Sequence, residues 1–229
     1  MNVEPGSAHN LQGQRLGRKG QTTRTRILDT ARELIGEGGA GQLTLSAVAR
    51  GAELRMSSLY NYFSDLPDLL LALLEPMVVE SERAYVAQLR ERWDDADLSA
   101  RCENFVRAFH EFWRTNADLL HLRNAHADNH EARMMMQRIE MARVVIRLLG
   151  QQMGAPDSRI TGDEYDFASV LYTGLERVVV IATDDRFKAN YPPSIRARYD
   201  GKTLGQQARL LHLGIADERA RLAERGTTA

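Results

Sequence analysis

Apolar residues along this chain recur every three to four positions and never alternate over a useful length, so the pattern predicts helices and no sheet. Ile27, Leu28, Ala31, Leu34 and Ile35 mark one face of a first helix over about 23–36, and Gly36, Gly38, Gly39 and Gly41 end it. Leu45, Val48, Ala49 and Ala52 give a short second helix, with Thr44 placed to cap it. A tight turn follows, then a third helix whose buried side is Leu54, Leu59, Tyr62 and Phe63. Leu66, Leu69, Leu70, Leu73, Leu74, Met77 and Val78 form an unbroken i, i+3, i+4 stripe. It opens a long helix reaching about residue 93, with a kink at Pro76. Further helices are predicted over 98–115, 131–153, 163–182 and 204–223, with a short segment at 117–127. The connection over 184–203 has room for one helical turn.

The third helix is unusual in what it leaves outside. Ser57, Ser58, Tyr60 and Asn61 point away from its apolar side, and a helix meant only for packing rarely spends a face on hydroxyl, amide and phenol groups. Two short helices joined by a tight turn, the second with such a face, are how a protein presents a helix to the major groove of DNA. The run Leu59-Tyr60-Asn61-Tyr62-Phe63, following a capped helix and a turn, resembles the DNA-binding domain of the TetR family of transcriptional regulators, whose signature ends in Leu-Tyr-x-(His or Tyr)-Phe. The resemblance covers roughly residues 22–75. It implies an all-α fold: an N-terminal three-helix DNA-binding domain with a helix-turn-helix, then a larger helical domain for ligand binding and dimerisation. The expected division is a disordered basic arm (1–21), a helix-turn-helix domain (22–66) and a helical effector-binding and dimerisation domain (67–229). The resemblance, in which the fourth helix links the DNA-binding domain to the rest, makes the helix at 66–93 the candidate mechanical connection.

Three departures from the family pattern matter. Glu53 stands in the turn where the family usually has Gly, so either it adopts positive φ at a cost on the order of 1 kcal/mol or the backbone is slightly re-routed there. Arg55 opens the recognition helix in place of Ser. The Lys that often follows the aromatic pair is replaced by Ser64-Asp65-Leu66-Pro67-Asp68, so positive charge must come from elsewhere. Net charge over the 229 residues is only −1, which excludes a uniformly basic coat. Its distribution is more informative: Arg15, Arg18, Lys19, Arg24 and Arg26 fall within residues 15–26 without an acid. That is an electrostatic footprint for a phosphate backbone.

The expected DNA contacts are therefore Arg55, Ser57, Ser58, Tyr60 and Asn61 on the recognition helix, Thr44 and Ser46 near phosphate, and Arg18, Lys19 and Arg24 from the basic segment. Asn61 can pair bidentately with adenine, and Arg55 suits guanine or a phosphate. Tyr60 matches the family position whose phenol meets the backbone, so it positions and does not specify.

The remaining candidates carry less chemistry. Phe109, His110 and Trp113 offer an aromatic wall with one polar handle, and the Met-rich stretch from Met134 to Met141 is either ordinary core or the adaptable lining of a pocket. Adding Met135, Ile139, Tyr172 and Glu176 gives a candidate site for a hydrophobic effector, aromatic or acyl in class. His121, His126 and His130 are read as a polar loop, because Asn124, Asp128 and Asn129 suggest a turn, so no metal and no cofactor are expected. Cys102 is the single cysteine and reads as a small packed residue. No catalytic motif is present. Without a signal-like or membrane-spanning apolar run, the expected place is the cytoplasm, with no membrane partner.

The sequence thus reads as a homodimeric repressor on a near-palindromic double-stranded operator, released by a small-molecule effector, and not as an enzyme. The alternative is an architectural or cell-division DNA-binding protein on the same scaffold, acting through a protein partner.

Overall fold

The computed structural model describes residues 16–38, 43–154 and 162–227. Every regular element among them is helical: α1 (Arg18–Gly38), α2 (Leu45–Gly51), α3 (Met56–Leu59), α4 (Leu66–Ser81), α5 (Leu98–Thr115), α6 (Ala117–Asp128), α7 (Ala132–Met153), α8 (Gly162–Thr183), α9 (Asp185–Ala189), α10 (Pro193–Ala197) and α11 (Thr203–Thr227). Among these residues no helix is long and apolar enough to cross a membrane.

Four expectations are corrected. α1 begins at Arg18, so residues 18–21 are helix and not part of an unstructured arm; residues 1–15 lie outside the described residues. Thr22 and Thr23 return their hydroxyls to the carbonyls of Arg18 and Lys19, at 3.1 and 3.0 Å, and the Gln21 amide donates to Leu16. The helix thus runs ahead of its apolar stripe through polar residues whose side chains bond within it, where periodicity gives no sign of it.

The long helix over 66–93 is not uniform. After Ser81 it widens into a π turn (Glu82–Val86) and then tightens into a 3-10 turn (Ala87–Leu89). The irregular stretch keeps Tyr85, Val86 and Leu89 buried, and Arg90 clasps Glu82 across it at 2.6 and 2.7 Å. The polar loop expected around residues 124–130 is helical as far as Asp128. Arg123 donates from Nε and Nη2 to the side-chain Oδ1 of Asn124, which removes the local side-chain competition that makes Asn a helix breaker. The reversal comes at His130, with φ 66. The connection over 184–203 holds α9, α10 and a π turn (Arg198–Lys202), more structure than one turn. Asp184 caps α9, and Pro193 opens α10 with its φ already fixed.

The chain forms two compact units. The first takes in the described residues up to Met77 together with Asp118–Gln137. Its core contains Ile27, Leu28, Ala31, Val48, Ala49, Leu59, Phe63, Leu69 and Leu70. The second takes in Val78–Ala117 and the described residues from Arg138 onward. Its centre is aromatic: the Tyr85 ring meets Phe109 and Phe112 edge-on at 5.0 and 5.2 Å. Buried Gln152 accepts from the Trp93 N–H and donates to the carbonyls of Leu89 and Glu91, each at 2.9 Å. That single amide satisfies backbone groups where the irregular stretch ends.

Candidate nucleic-acid interface

The interface is built from α1, α2 and α3. Thr44 holds extended backbone (φ −132, ψ 152) and its hydroxyl accepts from the Ala47 N–H at 3.1 Å. The cap also places the hydroxyl 3.1 Å from that of Ser46, and both side chains are exposed. Buried Val48, Ala49 and Ala52 hold α2 to the core. The turn then runs through Glu53 at φ 53, the left-handed conformation that the family's Gly adopts freely. Its N–H donates to Arg50, and that of Leu54 donates to Ala49 at 2.8 Å. The backbone is therefore not re-routed around the missing Gly, and the strain is accepted. Glu53→Gly is expected to stabilise the first unit by about 0.5 kcal/mol, relief of strain being partly offset by the extra entropy of Gly in the unfolded chain. Thermal unfolding checks this, and a lowered Tm would mean that Glu53 makes a compensating contact.

α3 is shorter than expected. Regular helix covers only Met56–Leu59, and the chain continues in tightened turns to Phe63. Four residues make no stable helix alone, so burial fixes it: Leu59 is 0% and Phe63 2% exposed. Anchored this way, the segment turns Ser57, Tyr60 and Asn61 outward, with Ser58 half-buried. Arg55 occupies the N-cap position with extended backbone, makes no capping hydrogen bond and is exposed. Exposed Arg18 and Lys19 form the first turn of α1. Arg24 is different: half-buried, its guanidinium stacks over the Phe63 ring at 5.5 Å to the centroid. It braces the recognition segment as well as supplying charge.

The acids that replace the family's Lys have local work. The Asp68 carboxylate accepts from the Ser64 N–H at 2.9 Å, and that of Asp65 accepts from the Asp68 N–H at 2.9 Å. Asp65 is also gripped by Arg133 at 3.0 and 2.9 Å. The guanidinium holds the Asp65 carboxyl below the usual carboxylate range, so the charge beside the recognition segment is paired. Sequence reasoning missed Arg133, because nothing local links residues 68 positions apart.

Of the candidate effector residues, the structure brings Phe109, Trp113 and Tyr172 together. Phe109 lies 6.3 Å from Trp113 and 5.9 Å from Tyr172 between ring centroids, and all three are buried. His110 and Glu176 are half-buried, Ile139 is 45% exposed, and Met135 belongs to the first unit. Burial pushes the Cys102 thiol up to about 12, so no thiolate forms near neutrality. Among the described residues no three His, Cys, Asp or Glu side chains gather as metal ligands would.

The comparisons agree with this geometry. Residues 27–73 match the family model described as bacterial regulatory proteins, tetR family. No curated protein matches the chain. Among solved structures, the fatty acid degradation regulator FadR from Bacillus halodurans aligns with TM-score 0.57 at 16% identity, covering 88% of this chain and 96% of that one. A putative fatty acid metabolism regulator from Clostridium perfringens gives 0.54 at 13% identity, over 78% and 95%. A TetR-like transcriptional regulator from Rhodococcus sp. RHA1 gives 0.53 at 17% identity, over 90% and 99%. At such identities the structures establish a shared fold. The N-terminal match adds that residues 27–73 are similar to the DNA-binding domain of the tetR family of bacterial regulatory proteins.

Proposed function

We propose that this protein is a homodimeric repressor that binds a near-palindromic operator through α3 and leaves it when a hydrophobic effector occupies the second unit. The observation that carries the reading is the recognition segment itself. Two buried side chains, Leu59 and Phe63, hold a short helix whose outer face is Arg55, Ser57, Tyr60 and Asn61. One such segment spans too few base pairs for useful specificity, and a two-fold pair doubles the site. Apolar side chains left exposed on α8 and α11 support a dimer: Val170 is 68%, Leu210 47% and Leu213 52% exposed. The Phe109, Trp113 and Tyr172 rings support an apolar effector. Two proteins of the same fold are described as fatty acid regulators, which favours an acyl chain over an aromatic one. The protein works where the DNA is, in the cytoplasm, and catalyses no reaction.

The test begins with a pool of random duplexes, from which the protein is expected to retain a sequence with two-fold symmetry. Tyr60→Phe is then expected to weaken binding about tenfold on every retained sequence alike, since a phenol that meets phosphate carries no base information. A changed base preference would show that Tyr60 reads bases. Acyl and aromatic compounds are scored by release of the retained duplex. Release by none would remove the effector and favour the architectural alternative.

A further inference from the structure

Arg133 is the second residue of α7, yet its guanidinium spans two carboxylates. Nη1 and Nη2 donate to the two oxygens of Asp65 at 3.0 and 2.9 Å, and Nε donates to Glu131 at 2.9 Å. Its backbone N–H donates to the same Glu131 oxygen at 3.2 Å, so the base of the side chain is fixed as well as its end. Both carboxyls are held below their ordinary range, chiefly by hydrogen bonds from Arg133. Isolated surface ion pairs contribute little because two long side chains must be ordered for each. Here the planar fork meets one carboxylate bidentately while a second orients it, the geometry in which Arg is most effective.

Asp65 matters for where it stands. It follows Phe63 by two residues and accepts from the Asp68 N–H at 2.9 Å, so it caps the start of α4. The chain leaving the recognition segment therefore takes its direction from Asp65, and Asp65 is held by α7. Consistent with this, Asp118–Gln137 belongs to the same compact unit as α1, α2 and α3. The DNA-reading unit is bipartite in sequence, and residues 22–66 alone do not complete it. α7 itself continues unbroken to Met153.

We propose that Arg133 is a positioning residue for DNA reading: by clamping Asp65 it makes α6 and the start of α7 part of the reading unit, and operator affinity depends on where α7 begins. This rests on the DNA-binding function proposed above and adds to it a contact that touches no DNA.

The probe is the duplex that the wild-type protein retains from the random pool, with affinity measured by fluorescence anisotropy on the full chain. Arg133→Gln is expected to bind it about fivefold more weakly. The base preference and the slope of log affinity against log salt stay at the wild-type values, because no phosphate contact is lost. Asp65→Asn, which still caps α4, is expected to give a similar loss. The double variant is expected to be no weaker than either single one, the mark of a shared interaction. Arg133→Lys keeps the charge but not the fork and recovers part of the affinity. A slope reduced by about one unit would show that Arg133 touches phosphate and overturn the proposal. Additive losses, or a loss that follows Tm in proportion, would overturn it too. Wild-type binding with an unaffected Arg133→Gln defeats this inference alone, whereas a wild type that retains no duplex defeats the DNA-binding reading with it.

Discussion

Phe63→Ala is expected to destabilise the first unit by about 3–5 kcal/mol and to abolish operator binding at concentrations where the wild type is saturated. The ring is 2% exposed and closes the recognition segment. It also carries the Arg24 guanidinium on its face. Truncation leaves a cavity, strands Arg24 and frees the end of a helix that has only four regular residues. The loss is a large fraction of the roughly 5–15 kcal/mol by which domains of this kind are stable. Denaturant unfolding beside anisotropy distinguishes the parts of the effect. A variant that loses DNA binding with its stability intact would mean that Phe63 shapes the α3 surface without supporting the fold. Phe63→Leu is expected to recover most of the stability and some of the binding, since it refills the volume but offers Arg24 no ring.

What could be read from the sequence follows the range of the interactions concerned. The helix-turn-helix was legible because its determinants are local: Thr44 and Ala47 meet within one turn, and Leu59 and Phe63 within another. The mismatch at Glu53 was legible, but a strained turn and a re-routed backbone were equally open to the sequence, and φ 53 decides between them. α5 was placed over the residues where it occurs, because seven buried residues recur at helical spacing along it. The π turn at Glu82–Val86 was not, because one wide turn leaves hydrophobic spacing almost unchanged. The early start of α1 was hidden by its polar composition, in which Thr22 and Thr23 satisfy their hydroxyls within the helix and leave no apolar period to read. Arg133 lay furthest out of reach. In the sequence it is one of many charges on a helix, and only the fold brings it to Asp65. The effector candidates show the same limit. Phe109, Trp113 and Tyr172 meet because α5 and α8 pack together, while Ile139 has the right chemistry and an exposed position.

The second large effect concerns assembly. On α8 the exposed positions Asp163, Asp166, Val170, Thr173 and Arg177 follow one another at helical spacing, and on α11 Gln206, Leu210, Leu213 and Asp217 do the same. Each row is polar at its ends and apolar in the middle, the arrangement of an interface core with a polar rim. The two helices are locked within the protomer by close packing: a Cβ on Gly214 would stand 2.8 Å from the Leu171 side chain. Val170→Asp with Leu213→Asp therefore changes the outer surface and leaves that packing alone, so protomer stability is expected to move by only about 0.5 kcal/mol. Across a two-fold axis, however, the pair places four carboxylates in what had been an apolar patch. Sedimentation is expected to change from dimer to monomer at micromolar concentration. Operator affinity is expected to fall by about two orders of magnitude, because the second half-site is no longer reached at the effective concentration that the dimer provides. Val170→Ala with Leu213→Ala, which removes area without adding charge, is expected to weaken the dimer less. A doubly substituted protein that remains dimeric and keeps its operator would place the two-fold contact on another surface. A wild type that sediments as a monomer would remove the dimer altogether.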